Sequence, residues 1–134
     1  MAVVKHDTRT LRDGEDVVKA RQTVREWAVA CGFSLVDQTK IVTAASELAR
    51  NAILHGGGGS VRLEALNDGA RRGLRLVFED EGPGIADVSQ ALRDGFTTGA
   101  GLGLGLGGAR RLVNEFDIDS RPGAGTRVTI TRWK

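Results

Sequence analysis

Three groups of residues in this chain have types and spacings that can do chemistry. The first is Glu47, Asn51 and His55, each four positions from the next. On a helix such residues share one face. An amide oxygen such as that of Asn51 is a hard ligand suited to Mg²⁺, which takes one or two protein ligands and leaves the rest to water and phosphate. A carboxylate one turn away, Glu47, can orient or deprotonate an attacking hydroxyl. His55 borders a glycine run and reads as structural. Taken alone, the trio is as well explained by the solvated side of an amphipathic helix.

The second group is Glu79-Asp80-Glu81-Gly82-Pro83-Gly84-Ile85, directly after an apolar alternating stretch. An aspartate leaving a strand can accept a hydrogen bond at the end of a cleft. Gly82 and Gly84 let backbone approach a flat ligand closely. An ordinary acidic turn is the plainer alternative. The third group is Gly99-Ala100-Gly101-Leu102-Gly103-Leu104-Gly105-Leu106-Gly107-Gly108. Backbone N–H groups where such a segment enters a helix bind anions, phosphate above all. Leucines alternating with the glycines argue against a solvated linker. The G-x-G-x-x-G match within it lacks the preceding strand of a dinucleotide fold and any acid beyond Asp119, which excludes that fold. No lysine lies between Lys40 and Lys134. A G-K-[ST] phosphate loop and a strand lysine of the large protein-kinase fold are thereby excluded. Arg110 and Arg111 are the nearest cations to the glycine-rich segment.

The elements that must carry these groups follow from periodicity. Residues 3–11 read as an edge strand. Asp13 caps a helix over about 15–30, with Val17, Ala20, Val24, Trp27 and Ala28 as its apolar stripe. Ser34 caps a second helix running to about Leu54, which stops at Gly56–Gly59. Strands over 61–65 and 74–79 flank a hairpin at Asn67-Asp68-Gly69. A short helix over about 87–94, a loop over 95–103 and a helix over about 104–115 come next. Strands 116–120 and 126–133 then surround the turn Pro122-Gly123-Ala124-Gly125. Trp27 and Trp133 read as core residues, with a contact surface as the alternative for Trp133. Tight turns between consecutive strands favour antiparallel pairing, and helices must cover one sheet face. The expected fold is an α/β two-layer sandwich with a mixed, mostly antiparallel sheet and helices on one face.

Bulk composition agrees. The chain has 134 residues, 40% hydrophobic and 27% charged, with a net charge of only +2. One domain over 1–134 is expected. So small a charge excess, spread along the chain, argues against a nucleic-acid partner. No apolar run reaches the roughly 20 residues of a membrane span. The first ten residues lack an apolar signal core, and Cys31 is the sole cysteine, so a cytoplasmic location is expected.

In combination the motifs are far more specific than apart. A helical Glu-x-x-x-Asn, an Asp-x-Gly-x-Gly-Ile after a strand and a glycine-rich helix start occur in that order. The chain resembles the GHKL family of ATP-binding domains, which share the Bergerat fold. Glu47 to Ala52 resembles its N-box, Asp80 to Ile85 its adenine box, Gly101 to Gly105 its phosphate box, and Gly125-Thr126 its last box. The resemblance implies that Asn51 holds Mg²⁺, that Asp80 bonds the adenine amino group and that Thr126 lies near adenine. It also implies that Gly82, Gly84 and Ile85 line the nucleotide, and that Gly99, Gly101, Leu102, Gly103, Leu104 and Gly105 close over its phosphates.

Residues 36–40, 46–51, 79–85, 94–98 and 115–120 look most like the free-standing serine/threonine kinases of bacterial partner-switching pathways, and among them the switch kinase of the stressosome. That resemblance implies Mg-ATP as phosphate donor and Glu47 as base toward a hydroxyl of a STAS-domain antagonist or scaffold protein. It implies a PP2C-type phosphatase regulator as the next partner. An anti-sigma factor kinase is the alternative, weakened because residues 95–108 contain no basic residue. A non-catalytic ATP-sensing module and a plain ATPase are the others.

Overall fold

The computed structural model describes residues 1–85, 87–92 and 105–134. Its elements in chain order are β1 (Ala2–Leu11), α1 (Gly14–Ala30), α2 (Leu35–Leu54), β2 (Gly59–Asn67), β3 (Arg72–Asp80), α3 (Val88–Ala91), α4 (Gly105–Arg111), β4 (Glu115–Ser120) and β5 (Thr126–Trp133). The strands form one sheet in the order β1-β2-β3-β5-β4. All four pairings are antiparallel. The sheet expected as mixed thus has no parallel neighbours among the described residues. β3 and β4 do run the same way, but β5 lies between them and pairs with both.

Local chemistry sets the helix starts. The Asp13 side chain accepts from the backbone N–H of Glu15 and Asp16, and Ser34 accepts from that of Asp37. Each satisfies donors that the first turn leaves open. The Val17, Ala20, Val24, Trp27 and Ala28 stripe of α1 is buried, as are Ile41, Ala44, Ala45, Leu48 and Ala52 of α2. These faces meet Leu63, Leu74, Leu76, Phe78, Val128 and Ile130 of the sheet in one hydrophobic core. The hairpin forms as its residues dictate. Asn67 Oδ1 accepts from Gly69 N at 2.8 Å, and Gly69 takes φ +89°.

Boundaries moved where the backbone tightened. The helix expected over about 104–115 ends at Arg111, because the Leu112 N–H bonds back three residues to the Ala109 carbonyl. The one expected over 87–94 is described only as Val88–Ala91. Gly59, expected within a breaker run, begins β2, where any side chain would collide with the Glu79 carbonyl.

The far face of the sheet is polar and braced. Glu64 accepts from Arg75 at 2.6 Å and Arg62 at 3.1 Å. Burial alone would raise the Glu64 carboxyl, but these bonds outweigh it and hold it below the usual range. Trp133 lies on this face, outside the main core, with its ring over Gly73.

Candidate functional site

Alternation along β3 turns Leu74, Leu76, Phe78 and Asp80 toward the helices. Asp80 is the last residue of the strand, so its carboxylate stands where the apolar layer ends. Register then assembles a polar row: Asp80 pairs with Thr126, and Thr126 with Ser120. The Asp80 carboxylate accepts from the Gly82 N–H at 2.9 Å. Ser120 Oγ accepts from the Ile85 N–H at 2.8 Å and lies 2.7 Å from Thr126 Oγ1. Gly123 N donates to the Pro83 carbonyl at 2.7 Å. The loop after β3 and the β4–β5 turn therefore form one unit.

Glycines make this packing possible. A side chain on Gly56 would collide with the Asp80 carboxylate, and one on Gly125, at φ +79°, with the Asp80 carbonyl. A Cβ on Gly82 would lie 2.5 Å from Gly56 Cα. Gly84, at φ +75°, has the Arg121 carbonyl in the same position. On the side where a Cβ would stand, the chain's own atoms fill the space beside Gly82 and Gly84. Their role in this structure is to let α2, β3 and the β4–β5 turn converge.

Gly56 follows α2 directly, so its contact with Asp80 joins the helix to the strand end. On α2, Glu47 and Asn51 lie one turn apart, as the spacing required. Glu47 is not on a freely solvated face: its side chain is 14% exposed and accepts from Arg50 at 3.2 Å. Asn51 is half-buried. His55 is the C-cap of α2 and is exposed. Asp37, at the other end of α2, is held by Arg132 of β5 at 2.6 Å. That hydrogen bond keeps the Asp37 carboxyl below its ordinary range, against a smaller effect of burial.

Of the glycine-rich segment, only its end is described. Gly105 opens α4 at φ +57°. Gly99, Gly101, Leu102, Gly103 and Leu104 lie outside the described residues. Arg110 and Arg111 occupy the last turn of α4, the end away from that segment. Sequence reasoning missed Ser120 and Gly56 as parts of the site. Gly125 already stood with Thr126 in the last motif, but Ser120 and Gly56 acquire their roles only through pairing and packing.

A cleft of about 410 Å³ lies at the strand ends, lined by Glu79, Asp80, Asp119, Arg121, Thr126 and Arg127 among others. Glu79, Asp119 and Arg127 share a register row on the far face, so this cleft takes in residues of that row together with Asp80 and Thr126, and Glu47 does not line it.

The donor set suits Mg-ATP. Acceptors stand at the strand end, and a hard amide oxygen stands beside a shielded carboxylate on α2. Among the described residues no group of three or more His, Cys, Asp or Glu could hold a metal by itself. That is compatible with a cation carried largely by phosphates and water.

Residues 36–134 match the family of histidine kinase-, DNA gyrase B- and HSP90-like ATPases. The chain belongs to this family, and the fold and ATP-binding class follow. Within it, the chain is 46% identical to the serine/threonine-protein kinase RsbT of Bacillus subtilis (strain 168) over 118 residues, 88% of this chain and 89% of that one. It is 33% identical to the anti-sigma F factor of Bacillus licheniformis over 121 residues, 84% and 81% of the two chains. The crystal structure of the RsbU and RsbW domains of Rv1364c from Mycobacterium tuberculosis superposes with a TM-score of 0.68 at 26% identity. That match covers 98% of this chain and 33% of the other, so this chain spans about a third of that larger protein. These similarities support protein serine/threonine kinase activity in a partner-switching pathway. Among the described residues no helix is long and apolar enough to cross a membrane.

Proposed function

We propose that this chain is a Mg-ATP-dependent serine/threonine kinase that phosphorylates a STAS-domain antagonist or scaffold protein and then engages a PP2C-type phosphatase regulator. The observation that carries the reading is the contact of Gly56 with the Asp80 carboxylate. It sets the end of α2 against the end of β3, which supports reading the Glu47–Asn51 face and the Asp80–Thr126 row as parts of one site.

In this reading Asp80 accepts from the adenine amino group, with Thr126 beside it. Asn51 holds Mg²⁺, which when bound neutralises phosphate charge. Residues 99–105 cover the phosphates. Glu47 takes the proton from a partner's hydroxyl as that oxygen bonds the γ-phosphorus. The bond to the β–γ bridging oxygen breaks, and ADP leaves. Arg50 holds the Glu47 carboxylate in place before the partner arrives. The product gains about two negative charges at the modified residue, enough to weaken its hold on the kinase and release the kinase to its next partner.

The test is phosphotransfer from γ-labelled Mg-ATP to a purified STAS-domain protein encoded beside this gene, with Asn51→Ala as control. Serine or threonine labelling that disappears in the control supports the proposal. Labelling that persists in Asn51→Ala, or none with ATP still bound, defeats it. The similarity to anti-sigma F factors favours a second reading, in which the chain sequesters a sigma factor. Co-purification with a sigma subunit distinguishes it.

A further inference from the structure

Ser120 ends β4 in the same row as Thr126 and Asp80. A serine hydroxyl has one hydrogen and two lone pairs. Ser120 Oγ accepts the Ile85 N–H at 2.8 Å, donates to the Gly125 carbonyl at 3.1 Å and lies 2.7 Å from Thr126 Oγ1. Gly125 is buried, and among the described residues Ser120 is the donor to its carbonyl, so withdrawing that donor carries a cost. The Ser120 hydrogen is therefore committed to Gly125, and one lone pair to Ile85. Toward Thr126, Ser120 can only accept. The Thr126 hydrogen is consequently spent on Ser120, and Thr126 offers lone pairs to whatever lies beside Asp80. An ionised Asp80 is also an acceptor only.

We infer that Ser120 is a specificity-determining positioning residue: by fixing the Thr126 hydroxyl as an acceptor, it makes the strand-end row select a base with an amino donor at its 6-position, adenine, over one with a carbonyl there, guanine. The chemistry is that of the exposed base edge, N6–H₂ in adenine and O6 in guanine. The inference rests on the nucleotide reading above and assigns to Ser120 a part in it that needs no contact with the ligand. Without Ser120, Thr126 can rotate and donate to a guanine O6.

The experiment is titration calorimetry of the full chain with Mg-ATP and Mg-GTP. The wild type prefers ATP. Ser120→Ala lowers the ATP-to-GTP affinity ratio about tenfold, the scale of one hydrogen bond gained or lost at a polar edge. Ser120→Thr keeps the hydroxyl and restores the ratio. A brace with only a structural role would weaken both nucleotides equally, and an unchanged ratio in Ser120→Ala overturns the inference while leaving the nucleotide reading intact. A wild type that binds neither nucleotide overturns the nucleotide reading itself. If Ser120→Ala does not fold, Ser120→Cys gives the same readout. It keeps the size with a thiol that accepts only weakly, so Thr126 is freed and the ratio falls under this inference, and an unchanged ratio overturns it.

Discussion

The two halves of the candidate site are built differently. At the strand ends, Asp80, Thr126 and Ser120 are fixed by sheet register, by hydrogen bonds of 2.7 to 3.1 Å and by glycines at which a side chain would collide. On α2, Glu47 and Asn51 are placed by helical spacing, and one ion pair at 3.2 Å constrains the carboxylate. A base-recognition end gains from rigidity, since a group already held loses little freedom when it binds. A catalytic carboxylate must change hydrogen-bond partners during the reaction, and the partner of Glu47, Arg50, has a side chain 40% exposed that water can take over. In the proposed function the site thus joins a rigid reader to an adaptable base.

Exchanging Glu47 for Ala should separate the halves most sharply. Phosphotransfer should fall by about 10²–10⁴, the range for a lost general base, while calorimetric ATP affinity stays within about threefold. Retained phosphotransfer would mean that Glu47 is not the base. Asp80→Asn should act on the other half. It removes a charged acceptor worth about 1.5–3 kcal/mol, so ATP binding should weaken at least about tenfold. Unchanged affinity would reduce Asp80 to a turn residue.

Gly56→Ala tests the joint between the halves. Its Cβ would meet Asp80 Oδ1 at 2.6 Å as well as the carbon atoms behind it. Overpacking of this kind costs about 1–3 kcal/mol, and ATP affinity should drop with the melting temperature. A melting temperature equal to wild type would show that the joint is looser than described.

The smallest effect concerns the far end of α2. The Arg132 hydrogen bond lowers the Asp37 carboxyl in the folded chain. A depressed folded value contributes stability that is complete above the unfolded value of about 3.9 and is lost as pH falls through the folded value. Asp37→Asn should therefore flatten the acid limb of stability below about pH 4, seen by denaturant titration at several pH values. It should leave the ATP-to-GTP ratio unchanged, because Asp37 lies at the opposite end of α2 from Gly56. An unaltered acid limb would remove Asp37 as its source.

Much of this was readable from residue order. Asp13 and Ser34 fixed two helix starts through their own side chains. Apolar stripes assigned the buried faces of α1 and α2. Asn67 and Gly69 set a hairpin. The four-residue spacing of Glu47 and Asn51 put them on one face. Each of these depends on interactions within a few residues, which local sequence specifies. The motif order, too, was enough to indicate the family and its nucleotide.

Tertiary structure decided what depends on distant partners. Ser120 is an unremarkable strand residue until register sets it beside Thr126, which in turn faces Asp80 across β3 and β5. Gly56 reads as a helix breaker until the end of β3 arrives against it, and nothing in the order of residues announces that Gly82 will pack against Gly56. Trp133 reads as core and is buried, yet strand alternation sets it on the far face over Gly73, apart from the main cluster. Among the described residues the sheet is antiparallel because β5 lies between β3 and β4. Local sequence determines which elements form and which faces are apolar. Register and close backbone approach link residues far apart in the chain, so only the folded molecule could determine which polar atoms meet.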